Sequence, residues 1–170
     1  MNKEFYWFVL KTKVSNEKKV YQKLLNDQHE VFLPLIETIR QWSDRKKKIS
    51  VPLIPSVLFV KCQKKELNRF YDYSGVVSIL KYLNEPAIVR EFEIQNLIIL
   101  EKEFNGVEVQ TSDDKFEIGQ LVKVIQGPLV GLMGESVKHN GKHRMMVKLE
   151  MLNMEFIVNI PRSFVRVVGN

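Results

Sequence analysis

Cysteine is almost missing from this chain of 170 residues: Cys62 stands alone. One thiol excludes an internal disulfide and fits a reducing compartment, so a cytoplasmic protein is expected. Long apolar runs are missing too, and none approaches the roughly 18 residues that span a bilayer. The opening MNKEFYWFVLKTK is short, aromatic and without a small-residue cleavage site, so it reads as a strand and not as a signal peptide. Histidine is scarce. His139 and His143 form an H-x3-H pair, but no cysteine or acid cluster completes a zinc site, and a surface turn is the expected setting. Neither GxxxxGK[ST] nor GxGxxG occurs, which excludes the common phosphate-cradling loops. Cys62 has no sequence-near base to lower its pKa, so it reads as a structural thiol. The residues support neither an enzyme nor a cofactor or metal.

What is present is an ordinary globular balance, 45% hydrophobic and 27% charged, with a net charge of +6. The charge is unevenly placed. Residues 1–104 carry 18 Lys/Arg against 13 Asp/Glu, and residues 105–170 carry 8 against 7, so the second part has a net of only +1. Between Arg40 and Lys65 stand eight basic residues and a single acid, Asp44. Such a cluster suits either a solvated loop or a nucleic-acid contact.

Phe5–Leu10 (FYWFVL) reads as a strand. Ser15 offers an N-cap, and Val20, Leu24 and Leu25 recur at helical spacing. Val31–Leu35 is extended, with Pro34 at an edge or break, and Ile36–Trp42 and Ile49–Val60 form a long hairpin around the charged tip SDRKKK. A short helix over Lys64–Tyr73, a strand over Val76–Leu83 and a helix over Arg90–Phe104 follow. The helix spacing includes Phe92, Ile94, Leu97, Ile98 and Leu100. Residues 105–116 are polar and read as a linker. Beyond them short β runs alternate with glycines, which suggests a small closed barrel over 117–170. The expected fold is α+β: an N-terminal domain, 1–104, with an antiparallel sheet and flanking helices, then the linker, then an all-β module.

Two stretches carry a family resemblance. EIGQLVKVIQGPLVGLMGE, Glu117–Glu135, looks like a KOW motif, in which a strand leads into Gly127-Pro128 and on to Gly131 and Gly134. A tight corner in a small barrel needs positive φ or close backbone approach, and glycine supplies both. In the N-terminal part, Tyr6-Trp7-Phe8-Val9, a helix with Glu17-Lys18-Lys19-Val20, Val31-Phe32-Leu33-Pro34-Leu35, the basic hairpin, VPLIPSVLFV and Glu85-Pro86-Ala87-Ile88-Val89 follow in the order of the NGN domain of NusG-like elongation factors. QWSDRKKKISVPL is similar to the UpxY antiterminators, and the whole order also resembles RfaH. One departure is plain: where the family usually has Phe-Pro-Gly-Tyr-Val, this chain has Ile54-Pro55-Ser56-Val57-Leu58.

The resemblance implies a cytoplasmic, monomeric factor that binds RNA polymerase and suppresses pausing or termination, a specialised paralogue acting on particular operons such as those for polysaccharide synthesis. A general NusG or a ribosome-associated KOW protein binding RNA are the alternatives. It implies that Phe8, Ile54, Pro55, Val57 and Phe59 face the clamp helices of the largest polymerase subunit, although core membership explains the same residues. The tip Arg45-Lys46-Lys47-Lys48 would lie near upstream or non-template DNA. Lys64, Lys65, Asn68, Arg69, Tyr71 and Tyr73 would supply the cations, amide and rings that single-strand binding uses. The KOW module would take a protein such as ribosomal protein S10, in preference to Rho. Lys142–Phe156 is rich in good helix formers where a barrel needs strands, a conflict that RfaH resolves by switching its C-terminal fold.

Overall fold

The computed structural model describes residues 4–41, 46–103, 107–111, 117–139 and 142–168. The chain divides into two compact units, Met1–Arg90 and Glu91–Asn170.

The first unit is built on an antiparallel sheet of β2 (Glu30–Phe32), β5 (Val57–Cys62), β1 (Tyr6–Thr12) and β6 (Val76–Ile79), in that order, with β9 (Ile88–Val89) also paired to β1. The register sets Phe8 against Val60 and Val9 against Phe59. Alternation along a strand therefore sends Phe8, Leu10, Leu58 and Val60 to one face and Val9, Val57 and Phe59 to the other. The first face meets α1 (Glu17–Asn26) through Val20 and Leu24, and meets Leu67 and Phe70, in one core with Cys62. Removing a large side chain such as Phe8 from water contributes about 1.5–3 kcal/mol.

Several elements differ from expectation in detail. The N-cap of α1 is Asn16; Ser15, expected there, has a φ of 62° and precedes the helix. Leu25 is exposed, and only Val20 and Leu24 of the expected trio are buried. Val31–Leu35 is split at Leu33-Pro34 into β2 and β3 (Leu35–Gln41). β3 pairs with β4 (Lys46–Pro52), Leu35 opposite Pro52 and Gln41 opposite Lys46, which gives the expected long hairpin. The extended run to Val60 is interrupted after β4 by a turn over 53–56. Val76–Leu83 is likewise two strands: β6, then β7 (Lys81–Tyr82), which turns through Leu83 and Asn84 at positive φ into β8 (Glu85–Pro86).

The second unit contains α2 (Glu91–Lys102) and six antiparallel strands, β10 (Val107–Thr111), β11 (Glu117–Val124), β12 (Met133–His139), β13 (Lys142–Leu149), β14 (Met154–Val158) and β15 (Val165–Val167). They pair in the order β10-β14-β13-β12-β11-β15; Val137, Met146 and Ile157 pack in one buried cluster, and Val122, Met145, Val147 and Phe156 are buried as well. Among the described residues no ladder joins β10 to β15, so the barrel-like module keeps two edges. Residues 107–111, expected as linker, form β10 because β14 supplies a partner for VEVQT from Val107–Val158 to Thr111–Met154. α2 stands with the second compact unit, which begins at Glu91, and polar bonds tie it to the strands. Asn96 donates to the Met133 carbonyl at 2.7 Å and accepts from the Met133 N–H at 3.0 Å, and the Glu150 N–H donates to Glu93 at 3.1 Å. These bonds explain why Glu93 and Asn96 are buried on α2 while Phe92 is exposed. Lys142–Phe156 is β13, a short turn and the start of β14, not helix: cross-strand pairing overrides local propensity.

The glycines of the KOW-like motif do what the turn demands. Gly127 and Gly131 have φ of +88° and +95°. At Gly134 a Cβ would sit 2.3 Å from the Met146 carbonyl oxygen, so close strand approach needs glycine there. Pro128 lies exposed in the same turn.

Candidate functional site

The turn Leu53–Ser56 is held from both sides. The Ser56 N–H donates to the Glu17 carboxylate at 2.7 Å, and the Thr12 N–H donates to the Ser56 carbonyl at 2.9 Å. Glu17 is buried, 4% exposed, so α1 fixes this turn through a charge-assisted bond. Ser56 itself has a φ of 59°, the left-handed region that favours glycine.

The five residues expected to face polymerase do not form one surface. Phe8 is fully buried in the α1-side core, which corrects its place in a docking patch. Val57 and Phe59 lie on the opposite sheet face, Phe59 stacked on Phe32 at 6.1 Å between ring centroids, and they and Ile54 are at most 3% exposed. Pro55 is the exposed member. It borders a cleft of about 650 Å³ with Val14, Ser15, Thr38, Val51 and Pro52. Val14 is 77% exposed, and Lys18 donates to the Ser50 carbonyl at the cleft wall, tying the hairpin base to α1. Sequence reasoning missed Val14, Val51 and Pro52. The apolar wording of VPLIP was the available signal, but only the fold brings Val14 beside it.

Lys46, Lys47 and Lys48 are exposed at the start of β4, and Arg45 lies outside the described residues. The segment Lys64–Asp72 is a 3-10 helix with a reciprocal capping box between Gln63 and Glu66. Leu67 and Phe70 point into the core while Lys64, Lys65, Asn68, Arg69 and Tyr71 are exposed. Lys64 pairs with Glu85. Tyr73 is placed differently from expectation. Its hydroxyl donates to Asp27 at 2.6 Å and lies 3.1 Å from His29 Nε2, and its ring stacks on Phe70. Burial, then the bond to Asp27, then the charges of Asp27 and Asp72 push its pKa up to about 12. Tyr73 thus positions the helix, and Tyr71 is the ring open to solvent. Burial, with Glu66 nearby, pushes the Cys62 thiol up to about 12, which keeps it protonated and inert. Among the described residues no His/Cys/Asp/Glu group suits a metal ion, and no helix is long and apolar enough to cross a membrane.

The fold is thus a mixed α/β unit with a long hairpin and exposed lysines, followed by a unit of one helix and six strands. The NusG family model, described as transcription termination factor nusG, matches residues 5–98; the chain belongs to the NusG family. Similar solved structures include "Domain interaction in Thermotoga maritima NusG", at 19% identity, 98% of each chain and a TM-score of 0.48. "Crystal Structure of MjSpt4:Spt5 complex conformation B" follows at 17% identity, 96% of this chain, 97% of that one and a TM-score of 0.32. No curated protein matches the chain.

Proposed function

We propose that the chain is an elongation factor that binds RNA polymerase and suppresses pausing or termination, as a specialised member acting on particular operons. The observation that carries this reading is the family match across residues 5–98. The cleft beside Pro55 supports a docking place for the clamp helices of the largest subunit. Its floor of Val51 and Pro52 and the exposed Val14 offer apolar contact, and small exposed apolar patches serve as anchors for protein partners. Ile54, Val57 and Phe59 are buried and stand beside Pro55 in the sequence.

The lysines at 46–48 and the exposed side of the 3-10 helix are the proposed nucleic-acid face. Lysine contacts there go to phosphates and add salt-dependent affinity. Tyr71 and Arg69 can stack on and hydrogen-bond to an exposed base. The likeness of QWSDRKKKISVPL to the UpxY antiterminators supports a specialised role, with polysaccharide operons as the proposed targets. A protein partner, ribosomal protein S10 before Rho, is proposed for the KOW-like module.

Such a factor makes and breaks no bonds. It need only bind the active polymerase more tightly than the paused one, and about 1.4 kcal/mol of preference shifts that equilibrium tenfold. The test is a single-round elongation assay on a template with a strong pause. The pause half-life shortens when the protein is added; an unchanged half-life at saturating protein contradicts the proposal.

A further inference from the structure

The β7–β8 hairpin ends in a residue that its own turn disfavours. Tyr82 pairs with Glu85, so Leu83 and Asn84 form a two-residue loop, and both have positive φ, 49° and 68°. Such a turn selects Asn-Gly or Asp-Gly, because a Cβ crowds the following carbonyl oxygen there and leucine has no polar group to compensate. Leu83 is also 81% exposed and Tyr82 62%, so no burial offsets the strain. A local rule broken without gain to the fold points to a use outside it.

The hairpin is held at its base and from one side. The Leu80 N–H donates to the Val9 carbonyl at 2.9 Å, and the Ala87 N–H donates to the Leu80 carbonyl at 2.9 Å, which fixes it to β1. Residues directly opposite in an antiparallel pair share a face. Tyr82 therefore stands on the side of Glu85, whose carboxylate Lys64 binds. That pair neutralises Glu85 and joins the hairpin to the 3-10 helix, which exposes Lys65, Arg69 and Tyr71. Lys81, next to Tyr82, is exposed as well.

Building on the nucleic-acid face of the 3-10 helix, we propose that the hairpin tip is its second arm. A base of a single strand stacks on Tyr82 with Leu83 against its edge, while Lys81 and Lys65 meet the flanking phosphates. Rings set among cations are what single-strand binding uses; a duplex keeps its base faces stacked and offers Tyr82 no partner. A protein pocket would accept Leu83 but would have to desolvate Lys81 and the Lys64–Glu85 pair.

The test follows fluorescence anisotropy of a labelled single-stranded oligothymidine, and of the same strand with abasic sites, against the full-length protein. Tyr82→Ala is expected to weaken binding of oligothymidine by about tenfold and to leave the abasic strand unaffected, while Tyr82→Phe keeps the affinity. Leu83→Asn separates binding from folding: it suits the turn, so the thermal midpoint holds or rises while the affinity falls. Arg69→Ala, on the helix, is the reference. If Arg69→Ala weakens binding and neither hairpin variant does, the tip proposal falls and the helix face stands. If the wild type binds neither strand at low salt, both fall. Equal losses of Tyr82→Ala on the two strands, or a midpoint lowered by Leu83→Asn, would give these residues a structural role and overturn the proposal. Unchanged DNA affinity with weaker retention of core RNA polymerase would assign the tip to a protein and overturn it too.

Discussion

The Ser56 N–H donates to the Glu17 carboxylate at 2.7 Å, joining the first turn of α1 to the loop that presents Pro55. Glu17 is 4% exposed, and the bond is part-buried. Glu17→Ala leaves the part-buried Ser56 N–H without its acceptor and is expected to cost about 1 kcal/mol. Glu17→Gln keeps an acceptor and costs less. Urea unfolding followed by tryptophan fluorescence reads this unit, because Trp7 and Trp42 both lie in it. Equal midpoints for wild type and Glu17→Ala would show that the bond contributes nothing.

Ser56 occupies the left-handed region with a φ of 59°. An L side chain there costs about 1–2 kcal/mol, and glycine avoids that cost while losing about 0.5–1 kcal/mol to its freer unfolded state. Ser56→Gly is therefore expected to be neutral to slightly stabilising. Ser56→Val, β-branched at positive φ, lowers the thermal midpoint. A destabilising glycine together with a tolerated valine would contradict the assigned backbone conformation.

Tyr73 gives the fold a signature in alkali. Its pKa stands at about 12 against the ordinary 10.0, from burial first and then the bond to Asp27. The folded state holds the phenol proton more tightly than the unfolded state. The resulting stability is whole below pH 10 and is lost as pH rises from about 10 to 12. Ultraviolet titration of phenolate absorbance should show one component near pH 12 that disappears in Tyr73→Phe, and the variant's stability should fall less steeply over that window. A wild-type titration unchanged by the substitution would contradict the placement of Tyr73.

How much of this was legible depended on whether a residue's role is local. Gly127, Gly131 and Gly134 could be read because turns and close strand approach select glycine wherever they occur. Val20 and Leu24 were legible from helical spacing, whereas Leu25 shares that spacing and faces solvent. β10 was not legible, because VEVQT becomes a strand only against β14. Buried Glu93 and Asn96 were invisible for the same reason: their partners are backbone atoms at Met133 and Glu150. Phe8 and Phe59 look alike in sequence, and only the β1–β5 register puts them on opposite faces.

Retention of core RNA polymerase by the immobilised full-length protein tests the central claim most directly. Val14→Asp is the variant of choice, since Val14 is 77% exposed and its change carries little folding cost; Pro55→Asp is its companion. A charge set into an apolar docking cleft is expected to weaken binding by roughly tenfold or more. Wild-type protein should retain polymerase, and both variants, folded by circular dichroism, should retain far less. Negligible retention by the wild type, or equal retention by all three, would contradict the account.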